Sequence, residues 1–262
     1  MLIYNNLFLL VFGVVVAFIT GLVAGSFLNC AAMRIVKGES FTKGRSRCPK
    51  CNHVLSAKDL IPLISWISTK GKCRYCGESI SRRYPVTEMV MAVCSVLCLL
   101  CCDYSLLCLR NWLFVCCLFL ISLVDLDSME IPDGALIASV IIWGVFLIFL
   151  PEPLKNLKEG LISALVFGGG VLLISLFLDK ILQKETLGGG DVKLIAVSGL
   201  YLGLAGNLFM VFLACIIGLV LMPVLKKMGD NEEFPFGPSI AASTFIMLLC
   251  GNPLVNWYLS LF

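Results

Sequence analysis

Two acidic stretches stand where apolar runs end or begin: DLDSMEIPD, from Asp125 to Asp133, and the single Asp191 in LGGGDVKL, 66 positions after the first of them. Acidic side chains close to hydrocarbon are costly and usually line a polar cavity or pair with something. Two carboxylates within a few ångströms share one proton, and such a pair can activate water while protonating a departing amine. Asp127, Glu130, Asp133 and Lys193 are further charged groups in the same two stretches. A second reading of the same residues is structural. Asp191 caps a helix with Gly188, Gly189 and Gly190 as its turn, and Asp133 starts a helix behind Pro132. Glycine adds what a cap does not require, since a backbone without Cβ lets another chain approach closely, as an extended peptide would. Spacing alone leaves both readings open.

The thiols form a second constellation. Cys48 and Cys51 in CPKC are followed by Cys73 and Cys76 in CRYC. Two such knuckles match a four-thiolate tetrahedral zinc site of the ribbon type, structural because four thiolates leave no position for water. The other ten cysteines, at 30, 94, 98, 101, 102, 108, 116, 117, 215 and 250, show no ligand spacing and read as small apolar residues in or near helices. His53, the single histidine, follows the first knuckle and reads as a solvated knuckle residue. With no second histidine, a Ser-His-Asp or Cys-His hydrolase would have to rest on that one residue.

What positions these groups is membrane. A 59% hydrophobic composition and a mean hydropathy of +0.97 exceed what a soluble core needs. Apolar runs at about 7–33, 86–102, 109–124, 134–150, 160–178, 192–206, 207–225 and 238–261 predict an all-α polytopic protein of about eight transmembrane helices. The triple glycine at 168–170 falls within one span and predicts close helix packing there. Residues 1–33 read as the first helix, 34–84 as a small zinc-ribbon-like cytoplasmic domain, and 85–262 as a membrane domain of about seven helices. About fifty polar residues bury little core, which makes a metal a sensible staple for the middle segment.

Charge sets the orientation. Between Arg34 and Tyr84 lie 12 of the 20 basic residues, against the acids Glu39, Asp59 and Glu78. The positive-inside rule places this segment in the cytoplasm. With alternating spans Lys180, Lys184, Lys193, Lys226 and Lys227 fall inside as well, leaving Arg110, Lys155 and Lys158 outside. No Lys or Arg precedes Arg34, so the first run reads as a retained helix with its N-terminus outside rather than a cleaved signal. Both aspartate stretches then lie at the cytoplasmic face and are free to meet.

These features together resemble the prepilin peptidases, the type IV leader peptidases of the GxGD intramembrane aspartyl protease kind. GSFLN at Gly25–Asn29, followed by Arg34, is similar to the family's first-helix signature. The stretch from Arg45 to Glu88 resembles its cytoplasmic domain, and PFGPS at Pro235–Ser239 its element before the last span. The landmarks occur in the family's order along nearly the whole chain.

The resemblance implies Asp125 and Asp191 as the catalytic pair, with Gly188, Gly189, Gly190, Asp127, Asp133 and Lys193 in support and Cys48, Cys51, Cys73 and Cys76 as the metal set. It further implies a bacterial inner-membrane enzyme acting on type IV prepilins or pseudopilins, cutting after a glycine where a basic leader meets an apolar helix. Many members then methylate the new N-terminus with S-adenosylmethionine, and the region holding Glu39 and Lys58–Pro62 is where that activity is expected, with no cofactor residues assigned. The chain's glycine runs do not make a dinucleotide fingerprint, and nothing points to nucleic acid. Two other classes are a transporter with border aspartates, which would carry an internal repeat, and a non-catalytic membrane scaffold.

Overall fold

The computed structural model describes residues 6–41, 44–184, 186–226 and 234–259, with side chains described as far as Pro223 and again from Phe234 to Gly251. Lys43, Lys226 and Lys227, which enter the charge count, lie outside the described side chains, as does the end of the last predicted span. The chain forms two compact units, residues 1–104 and 105–262. Helix dominates both, and the only β-pairing among the described residues is two isolated bridges, Arg47 with Val54 and Lys72 with Ser79.

In the first unit α1 (Leu7–Val36) packs along α3 (Arg83–Cys102). Asn6 caps α1, its side chain accepting from the N–H of Phe8 at 2.9 Å. The contact depends on absent side chains: a Cβ on Gly25 would lie 2.9 Å from the Cα of Glu88, and one on Gly21 would lie 2.5 Å from the Cα of Ala92. Small residues at such a seam let backbones approach where hydrocarbon gives no hydrophobic driving force. Towards the C-terminal end of α1, Asn29 is fully buried and accepts from Nε of Arg83 at 3.0 Å. Between the two helices lie the cysteine loops and the short α2 (Ile64–Ser68).

The second unit begins with α4 (Leu106–Ser128), capped by Ser105 and ended by Met129 in the left-handed region. It continues through α5 (Asp133–Leu147), α6 (Pro153–Ala164), a π-helical turn at Leu165–Gly169 and α7 (Gly170–Leu182). Of the triple glycine at 168–170, Gly168 alone meets a neighbour, with Ala196 in the way of any Cβ, while Gly169 and Gly170 face open space.

Next, α8 (Gly189–Lys226) is interrupted at Gly203, whose φ of 68° and ψ of −176° are not helical. The side-chain amide of Asn207 reaches the carbonyl of Ile195 at 3.2 Å. Twelve residues of unbroken helix would separate those two by about 18 Å, so the chain folds back at Gly203. The predicted spans 192–206 and 207–225 are thus the two arms of α8, joined three residues earlier than the sequence suggests. Finally α9 (Gly237–Leu259) closes the unit.

Among the described residues five helices are long and apolar enough to cross a membrane, α6 and α7 counting as one, and α5 and α9 are shorter apolar helices. With α8 divided at Gly203, the described helices supply the eight apolar segments expected of the polytopic fold. Phe114, Leu118, Ile121, Leu194, Met210 and Ile240 form the buried centre of the second unit, drawn from α4, α8 and α9. Polar bonds cross it: Ser198 and Thr244 hydroxyls lie 3.1 Å apart, and the Tyr201 hydroxyl donates to the Ser139 carbonyl at 2.6 Å. Such interhelical bonds are worth about 0.6 kcal/mol each on average inside membranes.

Candidate active site

The two border aspartates reach one place by different routes. Asp125 is carried on the last turn of α4, where Met129 stops the helix by donating its N–H to the Asp125 carbonyl at 2.8 Å. Asp191 is the third residue of α8, directly after the glycines. Both line a cavity of about 300 Å³ together with Met129, Glu130, Ile131, Asp133, Gly188, Gly189, Gly190 and Lys193. The cavity lies wholly within the second unit.

Their surroundings differ. Asp125 is 4% exposed, and its Oδ2 accepts the backbone N–H of Gly237 at 2.9 Å. Gly237 is the first residue of α9, so one of the four N–H groups that a helix leaves unsatisfied is aimed at a carboxylate, with the helix dipole in the favourable sense. Any side chain at that position would collide, because a Cβ would fall 2.7 Å from the same oxygen. Asp191 is half-buried, and its carboxylate accepts no hydrogen bond from any of the described residues. It therefore does not cap α8 through its side chain, the structural reading that spacing left open.

The glycines divide their work. Gly190 abuts Ile131, whose Cβ would lie 2.9 Å from a Cβ added there. This close approach brings the start of α8 against the EIPD loop and so sets Asp191 beside the end of α4. A Cβ on Gly188 would come within 3.3 Å of Asp191 Oδ2, whereas Gly189 faces open space. At the rim, Lys193 pairs with Asp133 at 2.7 Å, both more than half exposed, a pair worth well under 1 kcal/mol by itself. Asp127 and Glu130 are exposed, and Asp127 is not among the lining residues.

The four cysteines predicted as ligands come together in the first unit. Their sulfurs all lie within 4.8 Å of one another, with Cys48 Sγ and Cys76 Sγ 3.9 Å apart. A tetrahedral ion with bonds of about 2.3 Å needs sulfurs about 3.8 Å apart. The two knuckles repeat one hydrogen-bond scheme. Cys48 N–H donates to His53 O and Asn52 N–H to Cys48 O; Cys73 N–H donates to Glu78 O and Gly77 N–H to Cys73 O. Asn52 and Gly77 both have positive φ, at equivalent places. Backbone N–H groups of Cys51 and Lys50 hold the Cys48 thiol below its usual range.

His53 packs against Tyr75 with ring centroids 3.6 Å apart and the rings tilted by 30°, which ties one knuckle to the other. The Tyr75 hydroxyl in turn donates to Asp59 at 2.8 Å, and Arg74 pairs with the same carboxylate at 3.0 Å. Asp59 also accepts from the Ser56 hydroxyl at 2.7 Å and its N–H at 3.1 Å. The Ser56 hydroxyl foremost, then Tyr75, the Ser56 N–H and Arg74, hold the Asp59 carboxyl down at about 2.

Sequence comparison agrees with this division. Residues 19–102 match the bacterial peptidase A24 N-terminal domain, and residues 112–222 match the type IV leader peptidase family. A prepilin leader peptidase/N-methyltransferase of Bacillus subtilis (strain 168) is 31% identical over 255 residues, covering 94% of this chain and 98% of the relative. This chain belongs to the type IV leader peptidase family. The protein of the same name from Aeromonas salmonicida (strain A449) is 34% identical over 221 residues, covering 82% of this chain and 75% of its own. A type 4 prepilin-like proteins leader peptide-processing enzyme of Escherichia coli O78:H11 is 30% identical over 248 residues, 87% of this chain and 90% of the relative. No solved structure matches significantly.

Three residues with a structural part in these sites carried no assigned role in the sequence: Gly237, Asn29 and Asp59. The first two sit inside PFGPS and GSFLN, and the third inside KDLIP. Motif membership was therefore the available signal, and the partner of each was not.

Proposed function

We propose that this protein is a prepilin leader peptidase in which Asp125 and Asp191 are the catalytic pair. The observation that carries the reading is that these two carboxylates, 66 positions apart, line a single cavity at helix ends. One aspartate, ionised, takes a proton from a water molecule, which attacks the carbonyl carbon of the scissile peptide. The other, protonated, donates to the carbonyl oxygen as charge develops there. Collapse of the tetrahedral intermediate expels the amine, which receives a proton from the pair, and the two carboxylates again share one proton. Gly237 fixes the orientation of Asp125 throughout, and Gly189, with no neighbour over it, leaves room for a substrate backbone beside Asp191.

The substrate class follows from family and charge. A prepilin or pseudopilin brings a basic leader followed by an apolar helix. Glu130 and Asp133 at the rim give that leader an acidic approach, and a cavity at helix ends admits the water the reaction consumes. The excess of basic residues between Arg34 and Tyr84 supports a cytoplasmic cysteine domain and a cavity opening to the cytoplasm, with the N-terminus outside, and the family supports the bacterial inner membrane as the setting.

The cysteine set fits zinc in donor type, number and spacing. Cys48, Cys51, Cys73 and Cys76 would hold it as a structural ion, which orders the loops and leaves no coordination position for water. S-adenosylmethionine finds no comparable support. In the expected KDLIP region Asp59 is already committed to Ser56, Arg74 and Tyr75, while Leu60 and Ile61 are exposed apolar groups. Methylation of the new N-terminus is proposed from the relatives' names alone, and no residue here is assigned to it.

The deciding experiment is intact mass spectrometry of a type IV prepilin co-expressed with this protein, its Asp125→Asn form or its Asp191→Asn form. Loss of the leader with the unmutated protein alone is the expected result. Equal cutting in all three removes these aspartates from the mechanism.

A further inference from the structure

Leu60, Ile61, Ile64 and Ile67 are 45%, 44%, 62% and 59% exposed, in a domain otherwise built of polar knuckles. Ile64 and Ile67 share one face of α2, three residues apart. The opposite side is fixed to the cysteine loops, where the Trp66 ring fills the space over Gly71 and its Nε1–H donates to the Ile80 carbonyl at 3.2 Å. The apolar face is thus held outward by packing rather than left loose.

Its depth follows from one bond. Leu63 donates its N–H to Glu88 Oε2 at 2.7 Å, and Glu88 is 5% exposed. Glu88 lies in the second turn of α3, a helix apolar enough to cross a membrane, about 8 Å along from its first residue. Leu63 reaches it with φ of 61° and ψ of −51°, an uncommon conformation for a branched side chain. A backbone so constrained sets the segment against the flank of a spanning helix, at the border of the hydrocarbon. Lys58, Lys70 and Lys72, all exposed, flank the segment in sequence. Apolar side chains with a basic fringe at that depth are the composition of an interfacial anchor on anionic lipid.

We infer that Leu60–Ile67 is a lipid-contacting anchor that lays the cysteine domain onto the bilayer surface, its apolar side chains in the boundary of the leaflet. The partner is anionic phospholipid, chosen over the apolar helix of a passing substrate because the Glu88 bond sets the segment beside α3 with no substrate present, and the exposed lysines that flank it suit an anionic surface.

The test is photo-crosslinking in the full chain, with an aliphatic diazirine residue placed at Ile64 or, separately, at Ile67. The protein is reconstituted in nanodiscs of phosphatidylethanolamine and phosphatidylglycerol. Phe12, exposed on α1, is the lipid-facing reference, and Lys50, exposed on the first knuckle, the aqueous one. The expected result is lipid adducts at 64 and 67 approaching those at 12 and about tenfold above those at 50. Adducts no more frequent than at 50 would overturn the inference, as would adducts mainly to an added prepilin or a second copy of this chain. Two independent positions keep the test decisive if one substitution disturbs folding, and no cleavage is measured, so the result stands apart from the peptidase reading.

Discussion

The backbone N–H of Gly237 meets Oδ2 of Asp125 across 2.9 Å, joining positions 112 apart in the chain. The pair links the end of α4 to the beginning of α9 and leaves no volume for a side chain between them. Gly237→Ala would have to push the carboxylate aside. Misplacing a reacting group by about 1 Å costs on the order of a hundredfold in rate. The expected outcome is that loss in kcat for prepilin cleavage, with KM little changed and the protein still monodisperse. Combining it with Asp125→Asn should add nothing further, since both act on one carboxylate.

Asp125→Asn and Asp191→Asn are each expected to lower single-turnover cleavage by about a thousandfold or more, the scale of losing an acid–base group. Thermal unfolding followed by intrinsic fluorescence should remain near that of the parent in both. A variant that cut normally would exclude its aspartate from the chemistry.

Cys73→Ser should reduce bound zinc from one ion per chain to none, as read by elemental analysis, because three thiolates and a hydroxyl hold the ion far less well. The loops between Val36 and Arg83 should then become sensitive to limited proteolysis, since metal binding in such small domains is itself the folding energy. A metal-free chain whose loops resist protease as before would contradict a structural role.

Asp59 gives a pH-dependent prediction outside the spans. Its folded pKa, about 2, lies below the ordinary carboxylate value. A depressed pKa means the stabilisation is fully present above about pH 4 and disappears as pH falls towards 2. Carbon-13 NMR of labelled aspartate should find a carboxyl titrating near 2 in the parent. In Ser56→Ala that midpoint should rise towards the ordinary value, because the largest single contributor has been removed.

Lys193→Ala exposes Asp133 at the cavity rim and should tighten binding of a basic leader. A lower KM that returns to the parent value as salt is raised is the expected signature. No change with salt would remove the rim charges from leader recognition.

The polytopic helical fold and the four thiols were legible because each rests on local information: runs of apolar residues, or paired spacings of a few positions. The aspartates were legible only as acids at span borders, and the choice of Asp125 over Asp127 and Asp133 came from the family resemblance. The partner of Gly237 was not, because nothing within PFGPS refers to position 125. Gly190 was expected to admit a substrate backbone and instead abuts Ile131. Sequence reveals that a glycine leaves room and does not say for what. A break in α8 was expected between the runs 192–206 and 207–225, but its place at Gly203 was not legible, since a single glycine in an apolar run looks like the many that remain helical. His53 was read as solvated and is exposed, but its contact with Tyr75 depends on how two knuckles 25 positions apart are brought face to face.

The sulfur cluster also alters a distance it does not touch. The connector from α1 to α3 runs from Lys37 to Arg82, but a metal joining Cys48 to Cys76 would leave only residues 37–47 and 77–82 outside the loop it closes. Loop-closure entropy depends on the logarithm of tether length, so this shortening favours the meeting of the two helices by about 0.9 kcal/mol. That is about a fourfold rise in the effective concentration of one helix at the other. An ion held there would act as a clip on the tether and assist the seam of glycines between α1 and α3 from outside that seam.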